Sequence, residues 1–318
     1  MSRDILRRWP RVRRFCWKLA TSASKRIPLN ATRFLAHCAG VAAYRLDARG
    51  RKRVRRNLAN LVPRGCDEAL DRVTRRSYTH FAVATAESLR IGRLPRRFFG
   101  AERLEVRDPF GVLQQTPIPG PAILVTVHAN WELLAAALHH LGLMREAVTI
   151  ALGHGDPFID HVFERLRASV GCESVLIDRG PLAALRALHD GKLLLLAGDR
   201  DYAGSGPQVP MAGRPMRLPI GPAALAVQTG APIIPLYLGK RSARRFTLIA
   251  GRPLYAHPDA PKHEEAPRLT AELGQALARF LLAAPAQWAA FHPVWDDDPG
   301  STGSGASGRQ SGRTATVG

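Results

Sequence analysis

From residue 121 onward the chain alternates between short β-rich apolar runs and helix-like segments, and few folds accommodate that rhythm. The runs are "AILVTV" (122–127), "AVTIAL" (147–152), "SVLI" (174–177), "KLLLLAG" (192–198), "PIIPLYL" (232–238) and "RFTLIAG" (245–251). Helical patterns fill most of the gaps, at 130–142, 157–170, 181–190 and 221–229, and a further helix is expected over roughly 266–283. Strands and helices that take turns bury one side of each helix on a shared sheet. The expectation is an α/β fold whose mixed central sheet is flanked by helices.

The first 95 residues read differently, as a basic helical region. In "RVRRFCWKLATS" (11–22), Val12, Phe15, Cys16 and Leu19 recur at helical spacing, and Arg11, Arg13, Arg14 and Lys18 fill the other positions. With Trp9 and Trp17 this makes a basic amphipathic helix suited to a membrane interface. The same pattern also fits a helix whose apolar stripe packs on the protein itself. Residues 54–92 read as helical too. The organisation expected is a membrane-associating region over 1–95, an α/β core over 96–298 and a flexible Gly/Ser-rich tail over 299–318.

Charge narrows the partners. Lys and Arg number 46 against 26 Asp and Glu, a formal net charge of +20, and residues 1–60 carry only Asp4 and Asp47 as acids. Such a surplus points to a polyanion, either nucleic acid or an anionic membrane face. Aromatic residues are only 7% of the chain, and its basic segments match no base-stacking module, so nucleic acid is not the expected partner. The apolar stretch "FLAHCAGVAAY" (34–44) is too short to span a bilayer, and "RRWPRVRR" interrupts any signal-peptide core. Cys16, Cys38, Cys66 and Cys172 show no CxxC spacing and read as free thiols of a reducing compartment. A peripheral protein on the cytoplasmic face of the membrane is expected.

The chemistry-bearing stretch is "TVHANWELLAAALHH". His128 falls in the turn between a strand and a helix, with Asn130 in N-cap position and Glu132 in the first helical turn. A carboxylate there can fold back towards the turn, and a histidine oriented by a carboxylate is the arrangement of a general base acting on a hydroxyl. A capped helix preceded by a structural histidine would leave the same signature.

The residues of "HANWE" combined with "AGDRDYAGSGPQVPMAGRPMRLPIGPAALAVQTGAPIIPLYLGKR" (197–241) resemble the lysophospholipid acyltransferase superfamily. The nearer branch is that of lipid A lauroyl/myristoyl acyltransferases and phosphatidylinositol mannoside acyltransferases. Further pieces are similar in order: "RRNLANLVPRG" near 55, "GDPFIDHVFERLRASVG" at 155–171 and "PAQWAAFHPVW" at 285–295, whose Pro-x-x-Trp matches the branch's closing segment. The resemblance spans roughly 45–298. It implies acyl transfer from an acyl carrier protein or acyl-CoA thioester to a hydroxyl of a lipid acceptor at an anionic membrane, with no cofactor and no metal. The family's histidine and acid lie in an H-x4-D/E pattern. "HANWE" has three residues between His128 and Glu132, and aligning on "NWE" puts Val127 at the family's histidine position.

On this reading His128 is the base and Glu132 orients it. Arg167 and Arg200 are matched as oxyanion donors; surface salt bridges would account for them equally. Asp199 and Asp201 in "GDRDY" follow a strand, where ligands gather in α/β folds, although Asp and Gly are also ordinary turn residues. Gly221, before a helix, offers a lipid or phosphate a close approach to the backbone, although glycines flanking a helix usually only start and stop it. His154, Asp156, Asp160 and His161 superficially suggest a metal, but Asp160 and His161 are adjacent and would diverge on a helix, and the resemblance implies no metal. His139 and His140 close a helix and read as structural. A lipid-binding relative that has lost the catalytic pair is the competing reading.

Overall fold

The computed structural model describes residues 10–295; Trp9 and the tail expected over 299–318 lie outside them. Six of the seven strands of the main sheet are the six apolar runs: β2 (Ala122–Thr126), β3 (Ala147–Ala151), β4 (Cys172–Leu176), β5 (Leu193–Ala197), β8 (Ile233–Lys240) and β9 (Phe246–Ala250). The seventh, β1 (Leu104–Arg107), is a four-residue edge strand. The order is β1-β9-β8-β2-β5-β3-β4, parallel throughout except where β8 and β9 run antiparallel, so the sheet is mixed as expected.

Strand β2 is buried at every residue, as a central parallel strand covered on both faces must be. Its alternate side chains feed two cores. Ile123 and Val125 face one layer with Val54, Leu58, Leu188, Leu273, Leu277 and Trp288, whereas Ala122 and Leu124 face the other with Leu133, Leu134, Phe99 and Leu248. The second layer is built largely on α5 (Trp131–His140), six of whose ten residues are buried. The first holds α7 (Gly180–His189), α8 (Gly221–Thr229) and α9 (Lys262–Ala283).

A two-stranded hairpin, β6 (Gln208–Met211) with β7 (Arg214–Arg217), interrupts the alternation; Ala212 and Gly213 turn it at φ 49° and 81°. The N-terminal region forms α1 (Pro10–Arg26), α2 (Leu29–Leu46), α3 (Ala48–Leu58) and α4 (Asp67–Ser88). Helix α2 absorbs the apolar 34–44 stretch and lies along α4. Gly40 makes that approach possible, because a Cβ there would come within 2.7 Å of the Thr79 Cα. Helix α1 reaches α6 (Pro157–Ala168) through Trp17, whose ring meets Phe163 edge-on at 5.4 Å, and through an ion pair of Arg14 with Asp156 at 3.2 Å. Its apolar stripe is not packed away: Val12, Phe15 and Leu19 are 48%, 67% and 60% exposed. No helix of the described residues is long and apolar enough to cross a membrane.

Candidate active site

Strands β2 and β5 are neighbours with Thr126 opposite Ala197. Extending that register two residues past both carboxyl ends sets His128 beside Asp199, at the sheet edge where α/β folds place their ligands. Asp199 Oδ1 accepts from the backbone N–H of His128 at 2.9 Å and lies 2.6 Å from its ring Nδ1. The other oxygen, Oδ2, accepts from the indole N–H of Trp288 at 2.7 Å. The carboxylate is fully buried, while the imidazole keeps 20% of its side chain accessible. A proton on Nδ1, donated to Asp199, leaves the Nε2 lone pair for chemistry.

Beside the ring opens a cavity of about 490 Å³ between α7, α8 and the ends of β3 and β5. Its walls are mainly apolar, with Ile150, Ala184, Leu185, Leu196 and Leu225 among them, and His128, Glu132, Arg167 and Arg200 supply polar groups. Concave, mainly apolar walls with a few convergent polar groups are the usual form of a ligand site.

Glu132 does stand in the first turn of α5 and does line the cavity, but it does not orient His128. Its Oε1 faces an Arg167 terminal nitrogen at 3.5 Å, and no hydrogen bond joins it to the imidazole. The physical reason lies between them: Asn130 is left-handed at φ 52°, so helical geometry begins only at Trp131 and the i, i+4 relation never applies. Nor does the Asn130 side chain cap the helix. Its amide donates to the Leu238 carbonyl at 3.0 Å and to Gln287 Oε1 at 2.8 Å, and its oxygen faces His80 Nε2 at 2.9 Å. The turn carrying His128 is thereby tied to β8, α4 and the C-terminal segment at once.

Two other expectations change. Asp199 is the partner of the imidazole rather than a substrate ligand. Asp201 is a loop-builder: it accepts from the Ala203 and Gly206 backbone N–H groups at 3.1 and 2.7 Å and takes no part in the cavity wall, the ordinary turn chemistry of an aspartate. Gly221 opens α8 and lines the cavity.

The arginines are more than surface salt bridges. Arg167 is buried, with its guanidinium stacked 4.4 Å from the Trp131 ring, and its Nε is buried without a hydrogen-bond partner. Arg200 donates to the Ala289 carbonyl at 2.5 Å, and its Nε is likewise orphaned. Buried donors left unpaired are uncommon and call for an explanation.

Electrostatics favour a neutral imidazole beside an ionised acid. Burial, then the positive charge of Arg200, push the His128 pKa down against the pull of Asp199. Burial alone would raise the Asp199 carboxyl, but His128, Arg200 and Trp288 outweigh it and hold it below the usual carboxylate range. Glu132 goes the other way, raised by burial with Arg167 opposing.

Other candidates have local roles. His154 Nδ1 lies 2.7 Å from Asp160, Asp156 caps α6 by accepting from Phe158 N–H at 3.0 Å, and His161 faces Glu164 at the surface. Among the described residues no three His, Cys, Asp or Glu side chains gather as a metal site requires. His140 Nδ1 bonds the Ala136 carbonyl within its own helix at 2.8 Å. What sequence reasoning missed is the contribution of Gln287 and Trp288. The "PAQW" motif marked their position, but nothing in it told which side chains they meet.

The family described as bacterial lipid A biosynthesis acyltransferase matches residues 7–297. A phosphatidylinositol mannoside acyltransferase of Mycolicibacterium smegmatis is 26% identical over 264 residues, covering 81% of this chain and 83% of that protein. The protein of the same description from Mycobacterium tuberculosis is 31% identical over 142 residues, covering 43% of this chain and 42% of its own length.

Proposed function

The chain belongs to the bacterial lipid A biosynthesis acyltransferase family and is an acyltransferase, and we propose that it moves a fatty acyl group from a thioester donor to a hydroxyl of a membrane glycolipid, with His128 as general base and Asp199 as its partner. The activity for which the relatives are named, phosphatidylinositol mannoside acyltransferase, supports a phosphatidylinositol mannoside as the acceptor. The donor is an acyl-CoA or an acyl carrier protein.

The step follows from the groups at the cavity. His128 Nε2 takes the proton of the acceptor hydroxyl, and Asp199 steadies the imidazolium that forms. The alkoxide attacks the thioester carbonyl to give a tetrahedral intermediate; the C–S bond then breaks, and the thiolate leaves with the proton from Nε2. Proton transfer of this kind contributes about 10²–10⁴-fold in rate. Arg167 and Arg200 line the cavity, and their positive charge is suited to the negative oxygen of the intermediate or of the donor. The apolar groove between α7 and α8 takes the acyl chain.

Docking on the bilayer is peripheral. The exposed Val12, Phe15 and Leu19 of α1 enter the interface, and neighbouring Arg and Lys side chains each add about 1 kcal/mol against anionic headgroups.

The His128–Asp199 pair opening on an apolar cavity carries this reading. Its test is acyl transfer by a His128→Ala variant, with radiolabelled acyl-CoA and acyl carrier protein offered separately and phosphatidylinositol mannoside in mixed vesicles as acceptor. A folded variant that keeps the wild-type rate removes the mechanism, and the donor that turns over in the wild type settles the thioester.

A further inference from the structure

Three consecutive residues near the C-terminus touch every part of the His128 turn. Gln287 accepts from Asn130 at 2.8 Å and is locked to β8, accepting from the Lys240 N–H at 2.9 Å and donating to its carbonyl at 2.8 Å. Trp288 donates its indole N–H to Asp199 Oδ2 at 2.7 Å. Ala289 donates its N–H to the His128 carbonyl at 2.9 Å and accepts from Arg200. These groups belong to the turn after β2, the turn after β5 and the end of β8, and Ser77 of α4 adds a hydroxyl that donates to the Trp288 carbonyl at 3.3 Å.

We infer that Gln287–Trp288–Ala289 is a clamp that assembles the catalytic pair, and that Trp288 is a positioning residue acting through Asp199. The inference rests on the reading of His128 as base. Its physical content is geometric. Asp199 has two oxygens, and the imidazole with its own backbone N–H occupies only Oδ1. Without a donor on Oδ2 a fully buried carboxylate would keep an unsatisfied oxygen and be free to rotate about its terminal bond, taking the imidazole with it. The indole is a donor and nothing else, so it can satisfy Oδ2 only while the carboxylate is ionised or its proton lies elsewhere. Its ring is wedged in the core, 1% exposed and edge-on to Trp295 at 6.2 Å between centroids, which fixes the direction of its N–H. Tryptophan supplies the donor and the wedge together, and phenylalanine would supply only the wedge.

The test is a double-mutant cycle on kcat. Trp288→Phe is expected to lower kcat about tenfold or more while the KM for the thioester changes by less than twofold, since the lost bond touches no substrate. In an Asp199→Asn background the same substitution is expected to lower kcat no further, because the carboxylate it acts through is gone. Equal losses in both backgrounds, or an unchanged kcat in the first, would overturn the clamp. Should Trp288→Phe fail to fold, wild-type protein labelled with ¹⁵N-tryptophan provides the second measurement. The indole N–H signal that is shifted by Asp199→Asn is expected to titrate together with the acid limb of kcat. An indole signal that stays fixed across that limb also overturns it. Loss of activity in His128→Ala with additive Trp288 effects would sink the clamp alone; full activity in His128→Ala would sink the underlying mechanism instead.

Discussion

Asp199 Oδ1 lies 2.6 Å from His128 Nδ1 and 2.9 Å from the backbone N–H of the same residue, although 71 positions separate the two along the chain. One carboxylate oxygen thus grips a histidine by its ring and by its main chain. The ring grip selects the tautomer and the main-chain grip fixes the turn from which the ring projects.

Asp199→Asn is therefore expected to be far more damaging than its near-identical shape suggests. An asparagine that turns its NH₂ towards Nδ1 moves the ring proton to Nε2, and the base is lost. In a histidine-carboxylate pair such losses reach about 10⁴-fold in kcat, and a fall of about 10²–10⁴ is expected here. Steady-state kinetics on a variant with a wild-type melting curve checks it. A rate within threefold of wild type would mean that Asp199 only packs.

Glu132→Gln should behave differently, because Glu132 serves Arg167. The pair is buried on both sides, with side chains 6% and 14% exposed, so removing one charge leaves the other uncompensated. A stability loss of about 3 kcal/mol is expected, read from denaturant unfolding. The acid limb of the rate profile should stay where the wild type has it. A limb displaced by a full pH unit would show that Glu132 acts on the base after all.

The secondary structure was readable because it is local. Runs such as "AILVTV" and "KLLLLAG" are long enough and apolar enough to declare buried strands, and every expected helix beyond residue 121 formed. Strand β1 escaped because four residues with one buried side chain carry no period. The hairpin escaped because Pro210 and Pro215, set opposite each other, look like breakers. The proposed catalytic pair was half visible. His128 stood out, but its partner is fixed by the register of two strands, and register is a tertiary property. Glu132 was the nearer acid in sequence, and a single left-handed residue, Asn130, removed it from reach.

Stability should depend on pH through His80. Burial, then the charge of Lys240, lower its pKa from the usual 6.5 to about 4, against the hydrogen bond to Asn130. Its folded value lies below its unfolded one, so in the window between the two the unfolded chain binds the proton and the folded chain does not. Stability contributed by the neutral ring is present above pH 6.5 and is lost as pH falls towards 4. Melting temperatures measured from pH 7 to 4 should fall more steeply for wild type than for His80→Gln. Parallel curves would contradict the assignment.

Membrane docking is expected to run through α1. Phe15 is 67% exposed, so Phe15→Glu removes little folded contact and leaves the melting curve unchanged. Burying a phenylalanine in the interface contributes about 1.5–3 kcal/mol, so vesicle affinity should fall by about tenfold or more. Flotation with anionic vesicles at two salt concentrations checks both parts. The basic contribution weakens as salt rises, whereas the deficit of the variant persists. Wild-type flotation by Phe15→Glu would move the docking surface elsewhere.

Gly221 offers a way to probe the groove without disturbing the fold. It is the first residue of α8, it lines the cavity, and a Cβ built on it meets no atom within 4 Å. Replacing a helical glycine whose φ is not positive stabilises by about 0.4–1 kcal/mol through the unfolded chain, so Gly221→Leu should melt no lower than wild type. Its isobutyl group would project into the space assigned to the acyl chain. Short-chain thioesters should then turn over at nearly the wild-type rate, while long-chain ones lose about tenfold or more, the cost of excluding two or more buried methylenes at about 0.8 kcal/mol each. Rates measured across a series of acyl lengths would show the divergence. If all lengths slow equally, the leucine obstructs the acceptor rather than the chain, and the groove between α7 and α8 belongs to the glycolipid.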